Sequence, residues 1–480
     1  MYKKLNSMQI SLDDFGQPAG MHLSPNNRWV QKAAAIPWRT LEKDYAKLFP
    51  AHTGNVAKTF RMAFGALIIQ TKYHYSDEEL VQQIQETPYL QYFIGLPKYT
   101  EEPPFDPSTI VWFRKRLPID QLAAINEQII AFNQRRLAAN SDQAKGSEHP
   151  KADRPDAANP QGLPNRGTLT LDATCAPANV AYPQDINLLN QTRQHCEKII
   201  DALYKTGALT RRPRIYRQKA HKDYLAFAKT KRRSTKKRRR AIRKQLQYIR
   251  RDRKIIHQVI TQGTQLTQRQ AQIFDICEQI YQQQHAMYVQ KTHRIGQRIV
   301  SFQQPYVRPI IRGKVKNPTE FGPKIDVSNS DGLLRIERYS YEAFNESKDL
   351  IMVIERYHQR TGVYPQRVLV DQIYRTRENR LYCHDKHIRI SGPKLGRQAK
   401  HDQQNLKVEH QDERDRTQIE RDFSLSKRCY SLGGLKTKLT NTNLTQVGLS
   451  ILCVNLDRLQ RVVLVCLFFE KRSLTSDLTA

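Results

Sequence analysis

The alternation of apolar and polar positions divides the chain into two parts. Residues 1–52 show no sustained period, and "MHLSPNNRWV" reads as loop. From about 53 to 120 the apolar residues recur at helical spacing. "NVAKTFRMAFGALIIQ" predicts a mostly apolar helix. In "YSDEELVQQIQ", Ser76 stands three residues before Glu79, the spacing of a capping box, with acids in the first turn. "PPFDPSTIVWFRKRL" offers Asp106 as a cap and Pro107 at the first helical position, with Ile110 and Phe113 facing inward. The stretch "NSDQAKGSEHPKADRPDAANPQGLPNR" is rich in Pro, Asn, Asp and Gly and poor in apolar residues. These patterns predict an N-terminal all-α domain over 1–139, a linker over 140–166 and a second domain over 167–472.

The second domain opens with "TLTLDATCAP". Thr168 to Leu171 alternate as a half-buried strand does, and the strand is expected to stop on Asp172. From about 186 to 292 the pattern is helical again. Ile242, Leu246, Ile249, Ile256 and Ile260 fall at heptad-like spacing, Gly263 interrupts, and Ile273, Cys277, Ile280 and Met287 resume it. That predicts an antiparallel helical hairpin. Strands return after about 298, in "RIVSFQQPYVRPIIRGKV", "FGPKIDVSNSDGLLRIERYS" and "QRVLVD". "ESKDLIMVIERYHQRTG" is a helix closing at Gly362, and the C-terminal "QIERDFSLSKRCYSLGGL" and "TQVGLSILCVNLDRLQRVVLVCLFF" are helical. Strand, helical insert, strand hairpin, helix, strand, helices is the order of an α/β domain with a mixed sheet.

Charge adds a partner to this outline. Seventy-nine basic residues against 46 acidic ones leave a formal net charge of +33. A charge that large meets a polyanion or is spread over the surface; nucleic acid leads as the partner, with an anionic membrane surface second. The basic residues are densest in "KTKRRSTKKRRRAIRKQLQYIRRDRK", where Asp252 is the lone acid. Lys236, Lys237, Arg238, Arg239 and Arg240 are candidates to grip phosphates with salt-dependent affinity. A charge run is more often a solvated face, but this density favours phosphate contact. Arg114, Lys115 and Arg116 end a helix in what reads as a helix-turn-helix-like DNA reader. The same basic end also suits the helix dipole in a plain packing domain. The basic stretch lacks the Trp, Phe and Leu face of membrane-surface helices. No apolar leader is present, and "VVLVCLFFE" is too short to cross a bilayer, so a soluble intracellular protein is expected. Seven dispersed cysteines with no CxxC pair suggest neither a disulfide framework nor a zinc finger. There is no GxxxxGK loop and no HExxH, and His384 and His387 have no convincing ligand partners.

The chemistry rests on carboxylates. "VLVDQIYRTREN" is a buried strand, Val368 to Val370, ending on Asp371. Asp172 and Asp371 thus fall where α/β sheets build sites, although an isolated Asp at a strand end is usually a turn or helix cap. A third acid on a neighbouring helix would complete a set for two metal ions, and "DRTQIERDFSLSK" supplies Glu420. Arg416, four residues earlier, shares its helix face, and Lys427 lies two turns beyond. The same spacing suits a solvated salt-bridge ladder.

Together "LTLDATCAPANVAYPQDINLLNQ", "RPIIRGKVKNPTEFGPKIDVS", "VLVDQIYRTRENR" and "RTQIERDFSLSKRCYSLGGLKTKL" resemble the DDE transposases of bacterial insertion sequences, in the IS5/IS1182-like group. The region from about 40 to 120 is similar to the helical domain at the front of that group. The most specific motif is Arg-x3-Glu-x6-Lys, through Arg416, Glu420 and Lys427; the Tyr that many members carry three residues before the Arg is Glu413 here. The resemblance implies an RNase H-like catalytic domain, with Asp172 on its first strand, Asp371 on its fourth and Glu420 on a following helix. The 199 residues from Asp172 to Asp371 accommodate the basic insertion at about 186–292. It implies two Mg²⁺ ions, or Mn²⁺ in their place, with Asp172 bridging both. Hydrolysis at the element's end would free a 3′-hydroxyl, which then attacks target DNA. Arg416, Lys427, Arg375 and Arg377 would hold phosphates. The implied partners are double-stranded DNA, as terminal inverted repeats and target, and a second copy of the chain in the synaptic complex; the location is the bacterial cytoplasm, at the nucleoid. Two other readings stand beside it: an RNase H-like nuclease that cuts without joining, and an inactive transposase-derived DNA-binding protein. The presence of all three acids argues against the latter.

Overall fold

The computed structural model describes residues 12–17, 22–49, 56–144, 164–311, 319–393 and 403–476. Most of the expected linker, residues 145–163, lies outside them. The chain forms two compact units, one of residues 1–177, 324–340 and 344–480, the other of residues 178–323 and 341–343.

The first unit begins with α1 (Arg28–Ala34), α2 (Trp38–Ala46), α3 (Phe60–Tyr73), α4 (Asp77–Glu86), α5 (Pro88–Phe93), α6 (Thr109–Arg116) and α7 (Ile119–Ala144). Strand β1 (Thr168–Cys175) follows. The second unit then contributes α8 (Asp185–Lys205), α9 (Arg217–Ala228), α10 (Thr235–Thr261), α11 (Gln268–Gln290), β2 (Pro309–Ile311) and β3 (Thr319–Phe321). The first unit resumes with β4 (Lys324–Ser330), β5 (Leu333–Ser340), α12 (Leu350–Thr361), β6 (Arg367–Leu369), α13 (Arg377–Asp385), β7 (Arg389–Ile390), α14 (Gln403–Cys429) and α15 (Thr440–Ser476).

In the stretch expected as loop, residues 22–27 are non-helical and Arg28 to Val30 begin α1; α2 lies in the remainder, where no period was evident. The two helices have only 7 and 9 residues, too few to display a period, and are fixed by capping and aromatic packing instead. Asn27 Oδ1 accepts from the Trp29 amide at 2.8 Å. Trp38 is buried against Phe60, Phe64 and Phe93. The Ser76 cap is present, its hydroxyl accepting from the Glu79 amide at 3.1 Å. These helices share one compact unit with the sheet, because polar and apolar contacts tie them to α15. Lys32 of α1 and Lys72 of α3 both pair with Asp457. Thr445 donates to the Leu117 carbonyl at 3.0 Å. Gly448 lets α15 approach α7 closely: a Cβ there would stand 2.9 Å from the Leu122 side chain.

The sheet order is β5-β4-β1-β6-β7, antiparallel on the β4 side of β1 and parallel on the β6 side. Asp331 and Gly332, both at positive φ, make the tight turn expected at "SDG". β1 does not stop on Asp172. It continues through Ala173, Thr174 and Cys175, which pair with Asp326, Ile325 and Lys324 of β4. Leu169, Leu171, Val368 and Val370 point to one face and pack on Leu350, Val353, Ile354 and Tyr357 of α12. That helix closes at Gly362, φ 77°, as its sequence predicts.

In the second unit α10 and α11 form the expected antiparallel pair, with Arg253 salt-bridged to Glu278 and Arg239 reaching the Tyr288 carbonyl. The pair is not free-standing. Ile199 and Ile200 of α8 share a core with Ile256 and Val259 of α10 and Cys277 and Ile280 of α11. The strand expected from residue 298 is absent over 298–308. Its strand-like alternation arises because Ile299 and Phe302 anchor in the helical core while Val300 and Val307 pack with Ala178 and Phe321. Only β2 forms there, paired with β3. Among the described residues no helix is long and apolar enough to cross a membrane.

Candidate catalytic site

β1 and β6 pair in parallel with Thr168 opposite Arg367, Leu169 opposite Val368 and Thr170 opposite Leu369. The offset of that register is 199 residues, which is also the separation of Asp172 and Asp371. Extended two residues past the end of β6, the same offset would set the two aspartates level. Side chains alternate along a strand. Both carboxylates therefore lie on the face opposite the Leu169–Val368 core, the face that α14 crosses. Asp172 is half-buried, and its Oδ1 accepts from the Ala173 amide at 2.8 Å. Asp371 is exposed and extended (φ −73°, ψ 164°), and its side chain caps the short turn Gln372–Tyr374.

Two buried carboxylates fasten α14 across the strands. Asp412 accepts from Arg367 at 3.2 Å and from Arg389 at 2.8 Å. Asp422 accepts from Asn329 of β4 at 2.6 Å and pairs with Arg458 of α15. The flank of α14 that these anchors leave outward bears Glu409, Glu413, Arg416 and Glu420. A cavity of about 350 Å³ is lined there by Asp371, Arg375, Gly392, Glu409, Glu413 and Arg416. Glu420 is one turn beyond it, 54% exposed, with its carboxylate 3.3 Å from the Arg416 guanidinium. Among the described residues, no three acidic, histidine or cysteine side chains are gathered closely enough to hold a metal ion. Asp172 and Asp371 thus belong to neighbouring segments of the sheet on the face that α14 covers, and Glu420 is on α14, paired with Arg416.

The basic candidates divide by their surroundings. Lys427 is half-buried on α14, and Arg377 is exposed at the start of α13. Arg375 is half-buried and donates to the Pro393 carbonyl. Arg114 points into the helices, paired with Asp77 and donating to Gln70 at 2.8 Å. Lys115 lies over the ring of Trp112, which is itself 54% exposed. Arg116 lies over Phe49. In the second unit Lys236, Lys237, Arg238 and Arg240 are exposed, whereas Arg239 stacks on Tyr288, 4.4 Å from the ring centre. His384 and His387 are exposed.

Periodicity gave no sign of three further residues around Asp371. Ser391 bonds the strand before it. Tyr374, in the turn after it, donates to Asp326 at 3.1 Å. Asp326 is fully buried; that burial, reinforced by Asp349 and Glu346 and opposed by the Tyr374 bond, pushes its carboxyl up to about 8. The one sequence signal was the placing of Tyr374 three residues after Asp371.

Two families of known proteins match parts of the chain. A family described as a transposase DDE domain matches residues 368–457, and one described as a transposase domain matches residues 18–116. The chain is 26% identical over 166 residues, 35% of its own length and 69% of the other's, to the uncharacterised protein ORF8 in the nfe locus of Rhizobium meliloti. No solved structure matches the chain. The DDE match starts in β6 and contains Asp371, Glu420 and Lys427; the other match spans α1 to α6. The matches to a transposase domain over its first helices and to a transposase DDE domain from β6 into α15 together support a DDE transposase.

Proposed function

We propose that this protein cleaves the ends of an insertion sequence and joins the freed 3′-hydroxyl to target DNA, with Asp172, Asp371 and Glu420 as its catalytic carboxylates. The observation that carries the reading is the β1–β6 register: extended to Asp172 and Asp371 it would set them level, on the face covered by the helix bearing Glu420. An RNase H-like catalytic domain is supported by the strand order: a hairpin antiparallel to the first strand on one side, two parallel strands on the other.

Carboxylate oxygens are the donors that Mg²⁺ and Mn²⁺ prefer. Asp172, Asp371 and Glu420 are the residues that would hold such ions, Glu420 on leaving Arg416. Two divalent ions, when bound, lower the pKa of water and stabilise the leaving oxygen. The remaining work belongs to the chain. Water adds to the scissile phosphorus, the bond to the 3′ oxygen breaks, and a 3′-hydroxyl leaves protonated. The same carboxylates then hold that hydroxyl against a target phosphate. Lys427, Arg377 and the freed Arg416 neutralise phosphates beside the acids. The exposed bases of α10 hold flanking duplex, and two copies of the chain pair the two ends.

The test is cleavage of labelled DNA carrying the element's own ends, in Mg²⁺ and in EDTA. Metal-dependent 3′-hydroxyl ends are expected from the wild type. Asp172→Ala, Asp371→Ala and Glu420→Ala should each lose them while retaining DNA binding. Joined products separate a transposase from a nuclease that only cuts. Tight binding without cleavage by the wild type would refute the reading in favour of an inactive DNA-binding descendant.

A further inference from the structure

Asp371 stands two residues beyond the last paired residue of β6, on the side of the sheet where the ladder is shortest. β6 has 3 residues and β7 has 2, and their pairing ends at Val368 and Ile390. A carboxylate carried past the end of so short a ladder needs another support. Ser391 provides one. Its amide donates to the Val368 carbonyl at 2.9 Å. Its hydroxyl accepts from the Val370 amide at 3.0 Å and donates to the Val370 carbonyl at 3.1 Å. A single side chain thus satisfies both main-chain groups of the residue before Asp371, as the backbone of a longer β7 would. The side chain is buried, Ser391 being 5% exposed, so water does not compete for these bonds.

The turn after Asp371 is tied down as well. Gly392 sits at φ +93°, and a Cβ there would come within 2.5 Å of the Arg375 guanidinium. Arg375 lies across this glycine and bonds the Pro393 carbonyl, which clasps the turn to the 391–393 loop. Asn379 donates to the Tyr374 carbonyl at 2.7 Å, and Tyr374 reaches across to Asp326.

We infer that Ser391 is a positioning residue for the catalytic carboxylates: its hydroxyl fixes the Val370 peptide and so keeps Asp371 level with Asp172. The inference rests on the proposed function. Ser391 touches neither substrate nor ion and acts through Asp371. Arg375 belongs to the same clasp and is a positioning residue too, in place of a phosphate contact. Groups that orient a ligating side chain change metal affinity by about 10–100-fold when removed.

The experiment compares Ser391→Val with Ser391→Thr in the full chain, two side chains of nearly equal size that differ in the hydroxyl. Binding of Mn²⁺ alone is followed by the loss of the free-ion electron paramagnetic resonance signal. The Mg²⁺ concentration needed for half-maximal DNA cleavage is measured separately, and Asp371→Asn is the reference. Ser391→Val should weaken Mn²⁺ binding about tenfold or more and raise the Mg²⁺ requirement by a similar factor. Excess Mg²⁺ should restore most of the rate. Ser391→Thr should recover most of the affinity. Should valine not fold, as judged by circular dichroism, Ser391→Ala carries the same expectation without added bulk. Wild-type Mn²⁺ affinity in the valine or alanine variant, with Asp371→Asn impaired, would overturn the inference alone. So would an equal loss in threonine and valine. Unchanged Mn²⁺ binding in Asp371→Asn would remove the metal reading and the inference with it.

Discussion

Replacing Asp457 by asparagine removes the anion shared by Lys32 and Lys72, to which the Tyr430 hydroxyl also donates. Tyr430 directly follows the last residue of α14, so this carboxylate joins the N-terminal helices to the helix that bears Glu420 and Lys427. The side chains of Lys32, Asp457 and Lys72 are 4%, 13% and 24% exposed. Lys72 can turn outward to water; Lys32 cannot. Burial works against the Asp457 charge, but Lys32, Lys72 and Tyr430 outweigh it and hold the carboxyl at about 2. Burial lowers the pKa of Lys32 despite Asp457. The two partners therefore disagree on what the pair is worth: the anion is favoured, while the cation is not fully compensated. The anion's share follows from its shift. A carboxyl depressed by roughly two units contributes about 2.5 kcal/mol above its unfolded pKa, all of it lost as pH falls through the folded value. The desolvated Lys32 reduces the net. In Asp457→Asn, however, Lys32 is a buried ammonium with no counter-charge, which costs about 3–5 kcal/mol. Thermal unfolding of the full chain, followed by circular dichroism, should show a clear loss at pH 7 that narrows between pH 4 and pH 2, where the wild-type carboxyl itself takes a proton. Lys32→Met with Asp457→Leu should recover most of the loss, because an apolar pair of similar volume replaces the ionic one at little cost. An asparagine variant that melts like the wild type at pH 7, or a double variant no better than the single one, would refute this account of the junction.

Two further outcomes are expected. Changing Lys236, Lys237, Arg238 and Arg240 to Gln should reduce the slope of log affinity for DNA against log salt by about 0.9 for each phosphate no longer neutralised, with Arg239 left to its place on Tyr288; an unchanged slope means these charges only face solvent. Arg114→Ala should lower the melting temperature, because its bonds to Asp77 and Gln70 disappear, by the equivalent of about 1.5–3 kcal/mol. Lys115→Ala should leave melting unchanged and weaken salt-sensitive DNA binding, and the reverse pattern would exchange the two roles.

What the sequence disclosed depended on whether the determinant was periodic. α10 and α11, with 27 and 23 residues, are long enough for their buried positions to display heptad-like spacing, so the hairpin could be read directly. The two aspartates were proposed because a strand's alternation and the family resemblance point to the same residues. The docking of the N-terminal helices could not. A stretch rich in Pro, Asn and Asp announces where the chain leaves a domain, but the Lys32–Asp457 contact that brings it back spans 425 residues. Ser391 was equally hidden, since its role depends on the peptide of Val370, 21 residues earlier, and follows no repeat. Arg416 and Glu420 are the instructive case. Their spacing suits a salt-bridge ladder by default and a site face as the alternative, and the structure shows the Arg416–Glu420 pair. The ladder does not exclude the site. An exposed pair four residues apart on a helix is worth only about 0.3–0.5 kcal/mol, and Glu420 is 54% exposed. A side chain held that weakly turns within its helix face at almost no cost. On the proposed function, two divalent charges beside Asp172 and Asp371 would offer its carboxylate a far stronger attraction than one guanidinium does. The pairing also keeps Arg416 in the cavity beside Asp371, where an exchange drawing Glu420 to an ion would release a cation for the phosphate of the proposed reaction.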